Sequence, residues 1–157
     1  MGAAGEQLAS AFTEAYVPVF DYIEKIDDAG WTSFVEAEGS MVAAVMNHVA
    51  QSMRYSGSVL KAVREGYEPV ALTKESIDAF NQAEKESAGV PSRVEVLSAM
   101  RSGVERIGAS LAALPDDAFS RPITIVVGGH TAATLREWVE TIALPHGRNH
   151  VAGCRLA

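Results

Sequence analysis

The residues best suited to chemistry are two histidines in Pro145-His146-Gly147-Arg148-Asn149-His150. Four positions separate His146 from His150, so a helix through them stacks both imidazoles on one face. H-x-x-x-H is the spacing by which one helix offers two nitrogen ligands to a single divalent metal. A third ligand must come from another element. His48 and His130 are the remaining histidines. His130 follows two glycines and lies about four helical turns before His146, roughly 24 Å at ~1.5 Å per residue, too far to share an ion. His48 sits midway along a long apolar-striped segment and is the better partner. Three neutral imidazoles without a fourth protein ligand leave an open coordination position, the arrangement of a catalytic metal. Cys154, one helical turn past His150, is a further pocket or ligand candidate, although a buried structural thiol is the commoner use of such a residue.

These side chains need helices to hold them. Leu8, Phe12, Ala15, Val19, Tyr22 and Ile26 recur at steps of four and three, and predict a first helix with one buried stripe, ended by Asp27-Asp28-Ala29-Gly30. Pro18 inside it should bend the helix or mark a late start. Trp31 to Gly39 reads as a connection in which Trp31 and Phe34 cover one end of a bundle. A second helix is expected from Ser40 to Arg64 with two adjoining stripes. Val42, Met46, Val49, Met53, Leu60 and Val63 are plain core, while Met41, Val45, His48, Ser52, Tyr55 and Val59 carry inward polar groups fit for a site inside a bundle.

Thr73 to Ser87 is acidic, anchored by Ile77 and Phe80, and reads as a peripheral helix or crossover that Ala88-Gly89-Val90-Pro91 breaks. Ser92-Arg93-Val94-Glu95 matches a capping box. It opens a third helix with the stripe Leu97, Met100, Val104, Ile107, Leu111 and Leu114. Ile123 to Val127 is β-branched and extended, with His130 in a loop or at a helix start. Thr134-Leu135-Arg136-Glu137 is a second capping box, opening a fourth helix striped by Leu135, Val139, Ile142, His146 and His150. The histidines thus replace apolar residues on the face toward the core. Pro145 removes an intrahelical hydrogen bond, and Gly147 weakens the same turn, so a kink or rewound turn is expected there.

The composition bounds the answer. The sequence has 157 residues, 48% apolar and 21% charged, enough for one domain with a hydrophobic core, here taken as 1–157. The net charge of −7 argues against a nucleic-acid backbone or an anionic membrane surface as partner. No secretory signal or bilayer-spanning run is read from the sequence, and one cysteine allows no internal disulfide, so a cytoplasmic setting is expected.

His48 within Val45-Met46-Asn47-His48-Val49-Ala50, and His146 and His150 late in the helix opened by Thr134, together with the helix order and the long crossover, resemble the DinB/YfiT-like superfamily. The resemblance implies an all-α four-helix bundle with a long crossover between helices 2 and 3, a divalent metal such as zinc or nickel on the three histidines, and a homodimer. It also implies low-molecular-weight thiols such as mycothiol or bacillithiol as cofactors in S-transfer or isomerisation of a small molecule. On this view Tyr55 is a candidate catalytic residue that orients substrate or donates a proton, although an ordinary core aromatic is its blander reading. Arg148 is a candidate for an anionic cofactor only if the Gly147 turn is distorted. A non-catalytic metal- or ligand-binding bundle and a metal-dependent hydrolase are the alternatives. The ligand stripes hold no Asp or Glu to act as base for hydrolysis.

Overall fold

The computed structural model describes residues 2–87 and 89–155, leaving Met1, the Ala88 of the expected breaker, and the last two residues outside the description. Four long helical segments form the bundle: α1 (Ala3–Lys25), α3 (Val42–Glu65), α5 (Arg93–Ala112), and a last helix built from α6 (Leu135–Trp138) and α7 (Leu144–Cys154). The principal packed pairs are α1 with α5, α5 with α3, α3 with α7, and α7 with α1. The four therefore surround the core in that cyclic order, and the expected all-α bundle with a long second crossover is found. No helix among the described residues is long and apolar enough to cross a membrane.

The helices form where the apolar stripes place them. Leu8, Phe12, Val19, Met46, Val49, Met100, Ile107 and Leu111 are all buried in one core. Helix α1 begins earlier than its stripe, at Ala3, because the amide of Ala4 donates to the carboxylate of Asp116 (2.9 Å) across the fold. It continues through Pro18, so the late start is excluded. Helix α3 ends at Gly66, whose φ of 82° is the left-handed turn that closes many helices. Both capping residues act as expected. Ser92 Oγ accepts from the Glu95 amide, and Thr134 Oγ1 accepts from the Glu137 amide (3.1 Å) while Glu137 Oε2 takes the Ala133 amide (2.8 Å).

Two hairpins add to the bundle. After the short helix α2 (Asp28–Thr32), β1 (Phe34–Val35) pairs antiparallel with β2 (Ser40–Met41), and this hairpin forms where a plain connection was expected. Trp31 is buried and its indole donates to the Pro91 carbonyl (2.9 Å), but Phe34 is 64% exposed and covers nothing, contrary to expectation. The extended segment becomes β3 (Pro122–Val127), paired with β4 (His130–Thr134), so His130 is an exposed strand residue. The crossover holds α4 (Lys74–Ser87), preceded by Leu72, which bridges to Val127 at the edge of β3.

The rewound turn lies just ahead of Pro145. Residues Val139–Ala143 form a π turn, with the Leu144 amide reaching back five residues to the Val139 carbonyl. In a regular α-helix the ring of Pro145 would meet the carbonyl of Thr141, and the wider turn removes that clash. The turn also shifts the helical phase. The buried line on α7 becomes Gly147, Val151 and Cys154, and the two histidines flank it rather than replace it.

Candidate metal centre

Helix α3 carries His48 and helix α7 carries His146 and His150, and packing of the two helices brings the rings together. Ring centroids lie 5.4 Å apart for His48 and His146, 5.2 Å for His48 and His150, and 4.8 Å for His146 and His150. One ligating nitrogen from each lies within 4.8 Å of the others. Donors on one ion at ~2.1 Å can be no more than about 4.2 Å apart, so the three nitrogens stand close to the spacing a common ion requires.

Burial keeps two of these rings, His48 and His146, in the neutral form that offers a lone pair. Burial, then the neighbouring His150 and His48, pushes the His146 pKa down to about 3. Burial and His150 also lower that of His48, against smaller opposing effects of Glu38 and of a hydrogen bond to the Asn81 side chain. Nε2 of His146 is fully buried and has no hydrogen-bond partner. An unanswered buried nitrogen costs on the order of 1–3 kcal/mol, a penalty that coordination would remove. The residues therefore fit a divalent ion that takes imidazole readily.

Sequence periodicity did not reveal the partners around the rings. Glu38, in the turn of the first hairpin, places Oε2 2.8 Å from Nδ1 of His150, with both side chains largely shielded. This leaves Nε2 of His150 for an ion, the carboxylate–histidine arrangement that fixes a ligand's tautomer and orientation. Asn81 of α4 is a hydrogen-bond partner of the His48 ring. Neither residue lies on a ligand stripe. A carboxylate is thus present at the site after all, supplied by a hairpin instead of a helix.

Two cavities meet at the cluster. A smaller one of about 220 Å³ is bordered by Glu38, Asn47, His48, Asn81 and His150. A larger one of about 380 Å³ runs along α3 toward Trp138 and Ile142 and reaches His48 and His146. Tyr16 of α1, not singled out from the sequence, lines the larger cavity with its hydroxyl beside the Gly147 amide, and burial raises its pKa. A Cβ on Gly147 would lie 2.9 Å from Tyr16 Cε1 and 3.1 Å from Val19 Cγ2, so this glycine permits close packing of α7 on α1 rather than bending the helix.

The other candidates fare differently. Tyr55 lines the larger cavity, but its hydroxyl sits at the carbonyls of Val126 (3.1 Å) and Val70 (3.2 Å). It ties the crossover to β3, and its proton is already committed there. Arg148 is exposed on a regular turn of α7 and borders neither cavity, so the condition for its role is not met. Cys154 is buried outside the ligand cluster, beside Tyr22 and Glu38, and burial pushes its thiol pKa up to about 11. It remains a protonated, packed thiol.

No family model matches the chain, and no curated protein does. Among solved structures, the crystal structure of the mycothiol-dependent maleylpyruvate isomerase is similar, with a TM-score of 0.71 at 13% sequence identity. The similarity covers 96% of this chain and 60% of that one. The chain therefore spans about 60% of the length of the solved structure it matches, and what the two share is the DinB-like fold.

Proposed function

We propose that a bundle of this fold, with three imidazoles converging between two cavities, is a divalent-metal-dependent enzyme that activates a low-molecular-weight thiol against a small electrophile. The observation that carries the reading is the buried, unpartnered Nε2 of His146 beside His48 and His150. The thiol is suggested by the structural neighbour, which is named as mycothiol-dependent.

His48, His146 and His150 would hold the ion, zinc or nickel. Bound there, it would make a thiol or a water molecule easier to deprotonate and so supply a nucleophile. The chain's own residues do the rest. Glu38 keeps the proton of His150 on Nδ1, which points Nε2 inward. Asn81, hydrogen-bonded to the His48 ring, would help hold that ring in place. The apolar wall of the larger cavity limits competing water around the reacting atoms.

A second reading, attack by water, gains support from Glu38. This carboxylate borders the smaller cavity and could take up a proton there.

Elemental analysis of protein purified without added metal or a His-tag is the test, beside His48→Ala and His150→Ala. About one ion per chain, lost in both variants, is expected. Conjugation or isomerisation that needs mycothiol or bacillithiol then supports the thiol reading, and turnover without any thiol supports hydrolysis. Absence of metal even after incubation with excess zinc and nickel would leave a ligand-binding bundle.

A further inference from the structure

The larger cavity has an unusual charge makeup for this protein. The chain carries 20 Asp and Glu against 13 Lys and Arg, yet no acidic residue lines this cavity among the described residues. Its one formal cation is Arg54, whose exposed side chain makes no ion pair or hydrogen bond among the described residues. Trp138 also lines the cavity, and its indole Nε1–H is buried without an acceptor. The remaining wall is mainly apolar, with Leu72, Ile77, Phe80 and Ile142.

We propose that the larger cavity binds a small apolar monocarboxylate, with its anion on Arg54 and its apolar body running back toward the histidine cluster. The assignment deepens the proposed function, since it names the class of electrophile that would share the site with the thiol.

Each part has a physical basis. A guanidinium offers a planar pair of donors that matches one carboxylate, whereas a phosphate dianion would call for further cations. Excluding acids from the wall removes the like-charge repulsion an anion would meet across the rest of an acidic protein. Arg54 follows His48 by six residues, about 9 Å along α3 at ~1.5 Å per residue. The ligand thus has the reach of an aryl ring plus a short chain. A cavity of about 380 Å³ lies within the range of small-molecule sites and is far too small for a polymer.

Calorimetric titration of the metal-free full chain with 4-phenylbutanoate and its neutral amide, 4-phenylbutanamide, tests the proposal. The carboxylate should bind saturably and about tenfold more tightly than the amide, a ratio worth ~1.4 kcal/mol. Arg54→Gln, at an exposed position, should erase that ratio by weakening the carboxylate alone. Ile142→Trp, which fills the cavity, should weaken both ligands. Equal affinities in the parent protein, a ratio that survives Arg54→Gln, or no saturable binding of either compound would each overturn it. Neither metal nor thiol enters this titration, so its failure leaves the metal reading standing. Conversely, carboxylate binding without any thiol-dependent turnover would sink the thiol reading alone.

Discussion

Glu38 Oε2 stands 2.8 Å from His150 Nδ1, though 112 positions separate the two residues in the chain. The hairpin turn brings the carboxylate across α7, and it gains access where Gly153 has no side chain. A Cβ there would lie 2.0 Å from Glu38 Oε1. One glycine thus opens the path by which a distant acid reaches His150.

On the proposed metal reading, removing that acid should loosen the ion without dismantling the fold. Glu38→Gln and Glu38→Ala are expected to weaken zinc affinity about 10- to 100-fold, as loss of a ligand's outer partner typically does. Competition with a chromogenic chelator measures this, and unchanged affinity in both variants would refute the positioning role.

Gly153→Ala should reproduce the defect without altering any ligand. Alanine is intrinsically better in a helix than glycine by up to ~1 kcal/mol, and Glu38 can swing away, so the apoprotein should melt no more than slightly lower. Zinc affinity should nonetheless fall, and Glu38→Ala should add little to it in the double variant because both changes break one contact. Additive losses would mean that Gly153 acts elsewhere.

Gly147→Ala should instead cost stability. The new methyl would press on the Tyr16 ring and on Val19, both buried, and overpacking of this kind costs about 1–3 kcal/mol. For a chain of this size that lowers the melting temperature by very roughly 2–12 °C. Thermal unfolding followed by circular dichroism reads it directly, and an unchanged or raised midpoint would show that α1 and α7 can separate at no cost.

Acid should destabilise the metal-free protein through His146. Its folded pKa of about 3 lies below the ordinary 6.5, so between these values the unfolded chain binds more protons than the folded one. Stability is then complete above about pH 6.5 and declines as pH falls toward 3. Urea midpoints at a series of pH values should show the slope, and His146→Gln, which cannot titrate, should flatten it. A variant with the parent's slope would assign the effect to other groups.

Much of this was legible from local pattern. The spacing of His146 and His150, the inward stripe bearing His48, the helix caps at Ser92 and Thr134, and the rewound turn near Pro145 are properties of a few consecutive residues. Helical periodicity fixes the direction of such side chains before any tertiary contact forms. From these alone the bundle and its candidate ligands could be read.

The partners were decided only by tertiary packing. Glu38 lies in a two-strand hairpin too short to register as a pattern, and Asn81 sits on a weakly apolar crossover helix. Gly147 and Gly153 read as helix weaknesses until the neighbouring Tyr16 and Glu38 show what each glycine makes room for. Phase along one helix is a local quantity, whereas the height and rotation of one helix against another depend on every contact between them. The sequence therefore determined which residues could bind a metal, and the packing of α3, α7 and the hairpin decided what surrounds them.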